Sequence, residues 1–238
     1  MARRQKKKPR SIAALLLTAI LAVSAAAALY YVLICAGLIP DALGTCLSGY
    51  SEEVDCPKKI SDIPVTTDYV NPDDIGRPGT KREIHYLVIH ETDNTGRNAT
   101  AWSHALYIKR NAASEKKSWH YTVDDHSIYH HLPDNETAFH AGDNIRTEGG
   151  NRNGIGIELC VNEGGDFDQT MHNAAELAAY LMVTYDLELD AVKKHQDFSG
   201  KLCPSTIIEN DLWEDFLNMV QSAYDKRIEA AKQTEEKK

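Results

Sequence analysis

Two histidines and one cysteine stand where side chains could meet to bind a metal ion. His90 ends an apolar run at 83–90 and precedes a polar loop at 91–96. His195 ends a short run that begins at 192, and the loop that follows it leads to Cys203. Two imidazoles and a thiolate bind Zn²⁺ and leave a fourth position open for water, as in catalytic zinc sites. Because a single His-to-Cys loop also arises by coincidence, the spacing alone leaves this zinc site a hypothesis.

Two further charged residues could take part in the same chemistry. Glu158 interrupts an otherwise apolar run at 155–161. Since a buried carboxylate is costly unless it is paired or reaches water, we expect Glu158 at a strand end or cleft wall. Burial should raise its pKa and a nearby metal should lower it, although a purely structural carboxylate that accepts backbone hydrogen bonds is the alternative. Lys201 gains interest only from its position two residues before Cys203.

The scaffold that must position these residues is predicted to be an α/β domain with a mixed β-sheet. Apolar runs predict strands at 83–90, 155–161 and 192–195, and a hairpin formed by 119–123 and 127–132. Helical patterns occur at 98–110, 168–185 and 211–230. Strands that alternate with helices are typical of this fold class. His130 and His131 occupy successive strand positions, so they point to opposite faces and make a poor metal pair.

The N-terminal part is predicted to cross a membrane. Residues 1–10 carry six Lys and Arg residues, and 11–39 contain no charged residue. About 20 apolar residues suffice to cross a bilayer, and the basic segment places the N-terminus in the cytoplasm. The prediction is a single-pass transmembrane signal-anchor in the cell membrane with the rest of the chain outside. A cleaved signal peptide followed by secretion is the alternative, because small residues fill 24–28.

The remainder is divided by composition. Residues 40–69 are rich in Pro, Gly, Asp and Ser and are predicted to be a linker, 70–225 a folded domain, and 226–238 a charged tail. Cys46 and Cys56 in the linker could form a local disulfide or stay free, and the spacing leaves both open. The formal net charge is −9 although the first ten residues are basic, so the remainder is strongly acidic. This charge disfavours nucleic acid as a partner.

Five segments, in order along the chain, resemble one enzyme family. They are 86–92, 118–125, 139–143, 151–158 and 195–204. Together they are similar to the N-acetylmuramoyl-L-alanine amidases of the phage-lysozyme and peptidoglycan-recognition-protein type, over roughly residues 70–220. The resemblance implies one Zn²⁺ bound by His90, His195 and Cys203. It also matches Glu158 to the family's strand glutamate and Lys201 to its lysine two positions before the third ligand.

The resemblance implies that the domain at 70–225 has a central mixed β-sheet flanked by helices and is a catalytic domain that acts on peptidoglycan. Glu158 is expected to act as general base and Lys201 to stabilise the developing oxyanion. Some members of the family carry a catalytic tyrosine where this chain has Trp119. Members with the strand glutamate lack that tyrosine, so the difference does not argue against activity. Trp119, His140 and Asn153 are candidates for substrate binding, with packing or loop hydrogen bonding as the alternative. The competing functions are a non-catalytic, membrane-tethered peptidoglycan-binding module and a tethered interaction protein.

Overall fold

A mixed β-sheet forms the centre of the computed structural model, which describes residues 51–52 and 54–236 of the chain. Its seven strands in this part of the chain are β1 (Lys59–Ile60), β2 (Ile63–Thr67), β3 (Tyr86–Glu91), β4 (Tyr121–Val123), β5 (Ile128–His130), β6 (Gly154–Leu159) and β7 (Val192–Lys194). Their order across the sheet is β1-β2-β5-β4-β6-β3-β7. Only β1–β2 and β4–β5 pair antiparallel, and the second of these is the predicted hairpin.

The parallel centre of the sheet gathers the ends of three strands at one edge. β3 pairs parallel with both β6 and β7, and β4 pairs parallel with β6. His90 on β3 stands directly beside Glu158 on β6. Since the carboxyl ends of parallel strands meet at one edge, residues that the sequence separates widely are brought to the same place.

Six α-helices in the described residues cover the sheet. They are α1 (Ala101–Asn111), α2 (Gly150–Asn153), α3 (Phe167–Tyr185), α4 (Gln196–Ser199), α5 (Ser205–Glu209) and α6 (Trp213–Glu235), with a 3₁₀ turn at Leu189–Ala191. Thr100 and Asp166 cap the first turns of α1 and α3 by accepting hydrogen bonds from the backbone. The helices α3 and α6 pack against the main apolar core, and α1 contributes to a second, smaller one. The predicted α/β architecture of the domain is confirmed.

The linker prediction is wrong for its second half. Residues 59–67, assigned to the linker at 40–69, form β1 and β2, and β2 pairs parallel with β5 in the central sheet. Ile60 and Val65 point into the main core. Two buried side chains in so short a segment give too weak an alternating pattern to be recognised among Pro, Asp and Ser residues.

The C-terminal helix extends about one turn farther into the charged tail at 226–238 than the helical pattern at 211–230 predicted. Helix α6 runs without interruption to Glu235. The Arg227 guanidinium contacts the Glu176 carboxylate of α3 at 2.9 Å and the Ser61 hydroxyl at 2.9 Å. A charge-rich sequence with good helix formers therefore continues the helix, and an ion pair to the neighbouring helix holds it.

The predicted transmembrane segment, the basic N-terminus and Cys46 lie outside the described residues. Among the residues that are described, no helix combines the length and the apolar character that crossing a membrane requires. The N-terminal anchor therefore stays a prediction from composition.

Phe216→Ala is expected to lower the free energy of unfolding by about 3–5 kcal/mol, because Phe216 of α6 is fully buried in the main core. Trp102→Ala on α1 is the control, since 58% of Trp102 is exposed and its loss should change stability by less than about 0.5 kcal/mol. Equilibrium unfolding in guanidinium chloride measures both. Equal effects of the two substitutions would contradict the packing of α6 described above.

Candidate metal centre

The three predicted metal ligands converge at the edge of the sheet. His90 lies near the end of β3, His195 directly follows β7, and Cys203 lies in the loop before α5. The Nδ1 atom of His90 is 3.0 Å from Nδ1 of His195 and 3.9 Å from Sγ of Cys203. All three residues are buried, and the three candidate ligand atoms lie within 4.8 Å of one another. The sequence-based ligand set is thus brought together by the fold.

The loop between His195 and Cys203 is shaped by local hydrogen bonds. It begins with the single turn α4, and Gly200 ends that turn at a φ of 76°, which favours glycine. The backbone N–H of Gln196 then donates to the carbonyl of Cys203 at 3.1 Å, which closes the loop. The thiol of Cys203 also accepts the N–H of Glu91 at 3.4 Å, so the sulfur is fixed beside β3.

Glu91 is a structural residue of the site that sequence analysis missed. Its buried carboxylate accepts hydrogen bonds from the backbone N–H groups of Thr206 and Ile207, at 2.9 and 3.0 Å, and from the Ser205 hydroxyl. A carboxylate at the first turn of α5 satisfies donors that have no partner within the helix. Glu91 therefore anchors the segment that follows Cys203 to β3. Only its place directly after His90 could have drawn attention to it.

Burial keeps the nitrogen and sulfur donors uncharged while no metal is bound. Desolvation lowers the pKa of His90 well below its usual value, and the neighbouring His140 and His195 act in the same direction. Burial also lowers the pKa of His195, against an opposing hydrogen bond with the backbone of Ala141. Burial raises the pKa of the Cys203 thiol to about 12, with Glu158 adding to the shift. Two neutral imidazoles and one thiol form a donor set that suits Zn²⁺ once the thiol is ionised.

Zinc binding at pH 7 is expected to release at least about one proton, because the Cys203 thiol must ionise whereas both histidines are already neutral. Calorimetric titration in buffers of different ionisation enthalpy counts the protons released. The control is Cys203→Asp, which offers a carboxylate that is ionised at pH 7 and should release about one proton fewer. Zinc binding by the unmodified chain without proton release would contradict this protonation state.

Glu158 occupies a conspicuous position beside the ligands. It is only partly exposed, and its Oε2 atom is buried without a hydrogen-bond partner among the described residues. Desolvation raises its pKa to about 8, although the Lys201 ammonium opposes the shift. This direction agrees with the rise expected on burial, and the Oε2 atom is not saturated by backbone donors, as a purely structural carboxylate would be. A buried carboxylate oxygen left unpaired points to a functional role.

One pocket contains the three candidate ligands together with most of the other predicted site residues. Its walls include His90, His195, Cys203, Glu158, Lys201, Trp119 and His140. The Lys201 ammonium donates to the Asp93 carboxylate at 2.9 Å, and this hydrogen bond raises its pKa. Lys201 therefore carries a positive charge at the pocket wall.

Trp119 both packs and lines the pocket. Its indole N–H donates to the Thr122 hydroxyl at 2.7 Å, and its ring stacks on Tyr107 with centroids 6.4 Å apart. Tyr107 and Lys117 line the same wall, and the Lys117 ammonium lies 5.2 Å from the centre of the Tyr107 ring. Sequence analysis missed Tyr107 and Lys117, since a tyrosine on a helix and a lysine in a charged loop give no distinctive signal.

Asn153 does not lie among the residues that line this pocket. It ends α2. Its side-chain N–H donates to the carbonyl of Thr147 at 2.6 Å, and its backbone carbonyl accepts from the backbone N–H of His85 at 2.8 Å. The loop hydrogen bonding that the sequence left as an alternative is what the structure shows for Asn153.

His130 and His131 point to opposite faces, as predicted. The ring of His130 stacks on Tyr121 with centroids 4.2 Å apart, and its Nε2 is 3.1 Å from the Asp134 carboxylate. The Nε2 of His131 is instead 2.8 Å from the Thr122 hydroxyl. The two imidazoles therefore belong to separate polar networks and do not form a metal pair.

Comparison with known protein families finds a match over the part of the chain that holds this site. The family model described as N-acetylmuramoyl-L-alanine amidase covers residues 80–206, a span that contains all three candidate ligands together with Glu158 and Lys201.

Individual relatives carry the same description. The chain is 40% identical over 161 residues to the N-acetylmuramoyl-L-alanine amidase CwlH of Bacillus subtilis (strain 168), across 68% of this chain and 62% of that protein. It is also 40% identical over 154 residues to the amidase XlyA of the same organism, across 65% of this chain and 50% of the relative. The chain thus spans about half to three fifths of the length of these relatives.

Solved structures extend the likeness to the fold. The catalytic domain of XlyA superposes with a TM-score of 0.62 at 39% identity, across 66% of this chain and 99% of that domain. The PlyG catalytic domain gives a TM-score of 0.61 at 27% identity, across 68% and 96% of the two chains. The matched region is therefore a complete domain in those proteins.

Proposed function

Because the chain belongs to the N-acetylmuramoyl-L-alanine amidase family, we propose that it hydrolyses the amide bond between N-acetylmuramic acid and L-alanine in peptidoglycan. The observation that carries the proposal is a His–His–Cys donor set that shares one pocket with Glu158, whose Oε2 atom is buried without a partner among the described residues. A module that only binds peptidoglycan needs neither feature. The catalytic function is therefore favoured over the binding module and over the tethered interaction protein.

The ligands His90, His195 and Cys203 would hold one Zn²⁺ ion. When bound, such an ion polarises a carbonyl group and lowers the pKa of a coordinated water to about 7. This chemistry suits an amide, which is a poor electrophile. The protein's own part is to fix the donor atoms and to exclude competing solvent, and the burial of all three ligands serves both ends.

Glu158 is the group that moves the proton. Its carboxylate takes a proton from the attacking water and delivers it to the nitrogen of the leaving L-alanine. The pKa of about 8 in the metal-free site means that Oε2 readily holds a proton, and the positive charge of a bound metal would bring that pKa closer to neutrality. A pKa near the working pH suits a group that acts first as base and then as acid.

Lys201 supplies positive charge for the transition state. The negative charge that develops on the substrate carbonyl oxygen would be stabilised by the Lys201 ammonium at the pocket wall. Asp93 keeps that ammonium protonated and oriented through its hydrogen bond. Trp119 and Tyr107 form an aromatic surface beside the site, to which we assign contact with the substrate.

Removal of the metal tests the proposal. The full chain, solubilised in detergent and treated with a chelator, should lose its ability to digest purified peptidoglycan and regain it when zinc is added. Circular dichroism before and after chelation serves as the control for folding. Undiminished digestion by a folded protein whose zinc content has been measured as absent would overturn the zinc-dependent function.

A membrane tether at residues 11–39 forms a separate part of the proposal. Its support is the uncharged stretch after six basic residues. A tethered enzyme would act on the peptidoglycan next to its own membrane. Membrane fractionation of the full chain and of a chain lacking residues 1–39 decides the point: loss of membrane association only in the shortened chain supports the tether, and a soluble full chain contradicts it.

A further inference from the structure

One short segment lies behind both metal histidines. The Nδ1 atom of His140 is 2.8 Å from Nε2 of His90, the ring nitrogen that faces away from the other ligands. Next in the chain, the backbone of Ala141 lies close enough to the ring of His195 to raise its pKa. A Cβ added at Gly142 would lie 3.5 Å from Nε2 of His195. The segment 140–142 thus contacts the outer side of both imidazoles.

The hydrogen bonds of His140 determine which of its nitrogens carries a proton. Its Nε2 is 3.2 Å from the carbonyl oxygen of Gly154, which can only accept, so Nε2 is the donor. The hydrogen-bond partners of the His140 ring among the described residues are this carbonyl and His90, so they include no carboxylate. A buried imidazolium without a counter-charge is costly, so the ring is neutral and Nδ1 is left as an acceptor.

The tautomer of His140 in turn determines the tautomer of His90. An acceptor at Nδ1 of His140 requires the proton of His90 to be on Nε2. In a neutral ring this leaves Nδ1 of His90 with a free lone pair, and Nδ1 is the atom directed at His195 and Cys203. The hydrogen bonds from His90 through His140 to the Gly154 carbonyl therefore leave the Nδ1 atom of His90 unprotonated and free to bind a metal ion.

The surrounding residues hold His140 in this orientation. The side-chain oxygen of Asn151 accepts the backbone N–H groups of both His140 and Ala141, each at 2.6 Å. Gly156 on β6 leaves the space for the ring, since a Cβ there would lie 2.8 Å from Cγ of His140. An imidazole that is fixed by its backbone and by the shape of its cavity is well suited to orient a neighbour.

We propose that His140 is a positioning residue that fixes His90 in the Nε2–H tautomer and thereby prepares the metal site. This role adds to the sequence-based assignment of His140 to substrate binding. His140 lines the pocket, and its Nδ1 atom contacts the candidate metal ligand His90. The acceptor behind His90 is a neutral imidazole rather than a carboxylate, so it adds no negative charge to the site. The inference rests on the proposed function only in taking His90, His195 and Cys203 as the ligands.

The tautomer can be observed directly in the metal-free protein. The full chain is labelled with ¹⁵N-histidine, solubilised in detergent and freed of metal by a chelator, and long-range ¹H–¹⁵N spectra assign the protonated nitrogen of each imidazole. We expect the proton on Nε2 of both His90 and His140. A proton on Nδ1 of His90 would overturn the inference, whereas a chain that binds no zinc at all would overturn the proposed metal site instead.

Variants at 140 measure the consequence for zinc. His140→Leu removes the acceptor and should weaken zinc binding by about 10–100-fold, as the loss of a group behind a metal-bound histidine commonly does. His140→Asn offers an oxygen near the position of Nδ1 and should recover most of the affinity. His172→Leu makes the same change at an exposed histidine of α3 that does not line the pocket, so it is the control and should bind zinc normally.

Competition with a chromophoric chelator gives the zinc affinities, and thermal unfolding checks that each variant folds. Unchanged affinity in a folded His140→Leu protein, or equal loss in the Leu and Asn variants, would overturn the positioning role. If His140→Leu fails to fold, the tautomer spectra of the unmodified chain decide the inference by themselves.

Discussion

Glu158→Gln is expected to lower the rate of peptidoglycan hydrolysis by about 10²–10⁴-fold while the zinc content stays unchanged. The amide has nearly the shape of the carboxylate but cannot take a proton from water or return it to the leaving amine. Glu158 does not belong to the buried ligand group formed by His90, His195 and Cys203, so its replacement should leave metal binding intact. Turnover on purified peptidoglycan and zinc by atomic emission are the two measurements.

The control for this substitution is Glu163→Gln, a change of the same chemistry at an exposed glutamate, whose side chain is 72% accessible. It should leave the rate unchanged within the error of the assay. Full activity in the Glu158→Gln protein would remove Glu158 from the mechanism. Loss of zinc in that protein would instead place Glu158 among the metal ligands.

The same substitution should change how the stability of the metal-free protein depends on pH. Burial raises the pKa of Glu158 from 4.5 to about 8, so the folded state binds more protons than the unfolded state between these values. The free energy of unfolding therefore falls as the pH rises from about 4.5 to 8. Glu158→Gln removes this contribution, and a metal-free variant that is more stable than the parent at pH 8 is the expected result in denaturant unfolding.

Cys203→Ala is expected to abolish both zinc binding and hydrolysis. The sulfur is one of the three donors, and the loss of a donor should weaken binding by more than the roughly 10–100-fold that follows from loss of an outer partner. Cys160→Ala is the matched control. Cys160 is equally buried, but its sulfur is 3.8 Å from Nδ1 of His104 and it does not belong to the ligand group.

Zinc content after dialysis and activity on peptidoglycan should fall together in the Cys203 variant and stay unchanged in the Cys160 variant. A Cys203→Ala protein that keeps about one zinc per chain would remove the thiol from the ligand set. Loss of zinc in both variants would indicate a general effect of replacing buried cysteines.

The strands and helices that carry the site could be predicted because their apolar patterns are long. β3, β6 and α3 each contain a run of apolar residues long enough to be recognised, and their predicted ends agree with the structure to within a few residues. β1 and β2 could not be recognised, since β1 pairs with β2, and β2 joins the sheet through β5, which lies more than sixty residues away along the chain. The end of α6 beyond residue 230 was missed because its charged and polar residues give no apolar pattern.

The site divides in the same way. Residue types and five ordered segments predicted His90, His195, Cys203, Glu158 and Lys201, and the parallel pairing of β3 with β6 and β7 explains why they meet. Their hydrogen-bond partners were not predictable, because the contacts of Glu91 with α5 and of His140 with His90 join segments that only the fold brings together. Asn153 belongs to a segment that resembles the family and was predicted to bind substrate, but its side-chain amide donates to the carbonyl of Thr147 instead.

The most direct test of the proposed function is the identity of the bond that the zinc-loaded full chain cleaves in purified peptidoglycan. Labelling of new amino termini and assay of new reducing sugar ends, on the same digest, distinguish the possible products. The proposed amidase predicts new L-alanine amino termini without new reducing ends, and none of either with the Glu158→Gln protein. New reducing ends, or no new amino termini from a folded and zinc-loaded protein, would contradict it.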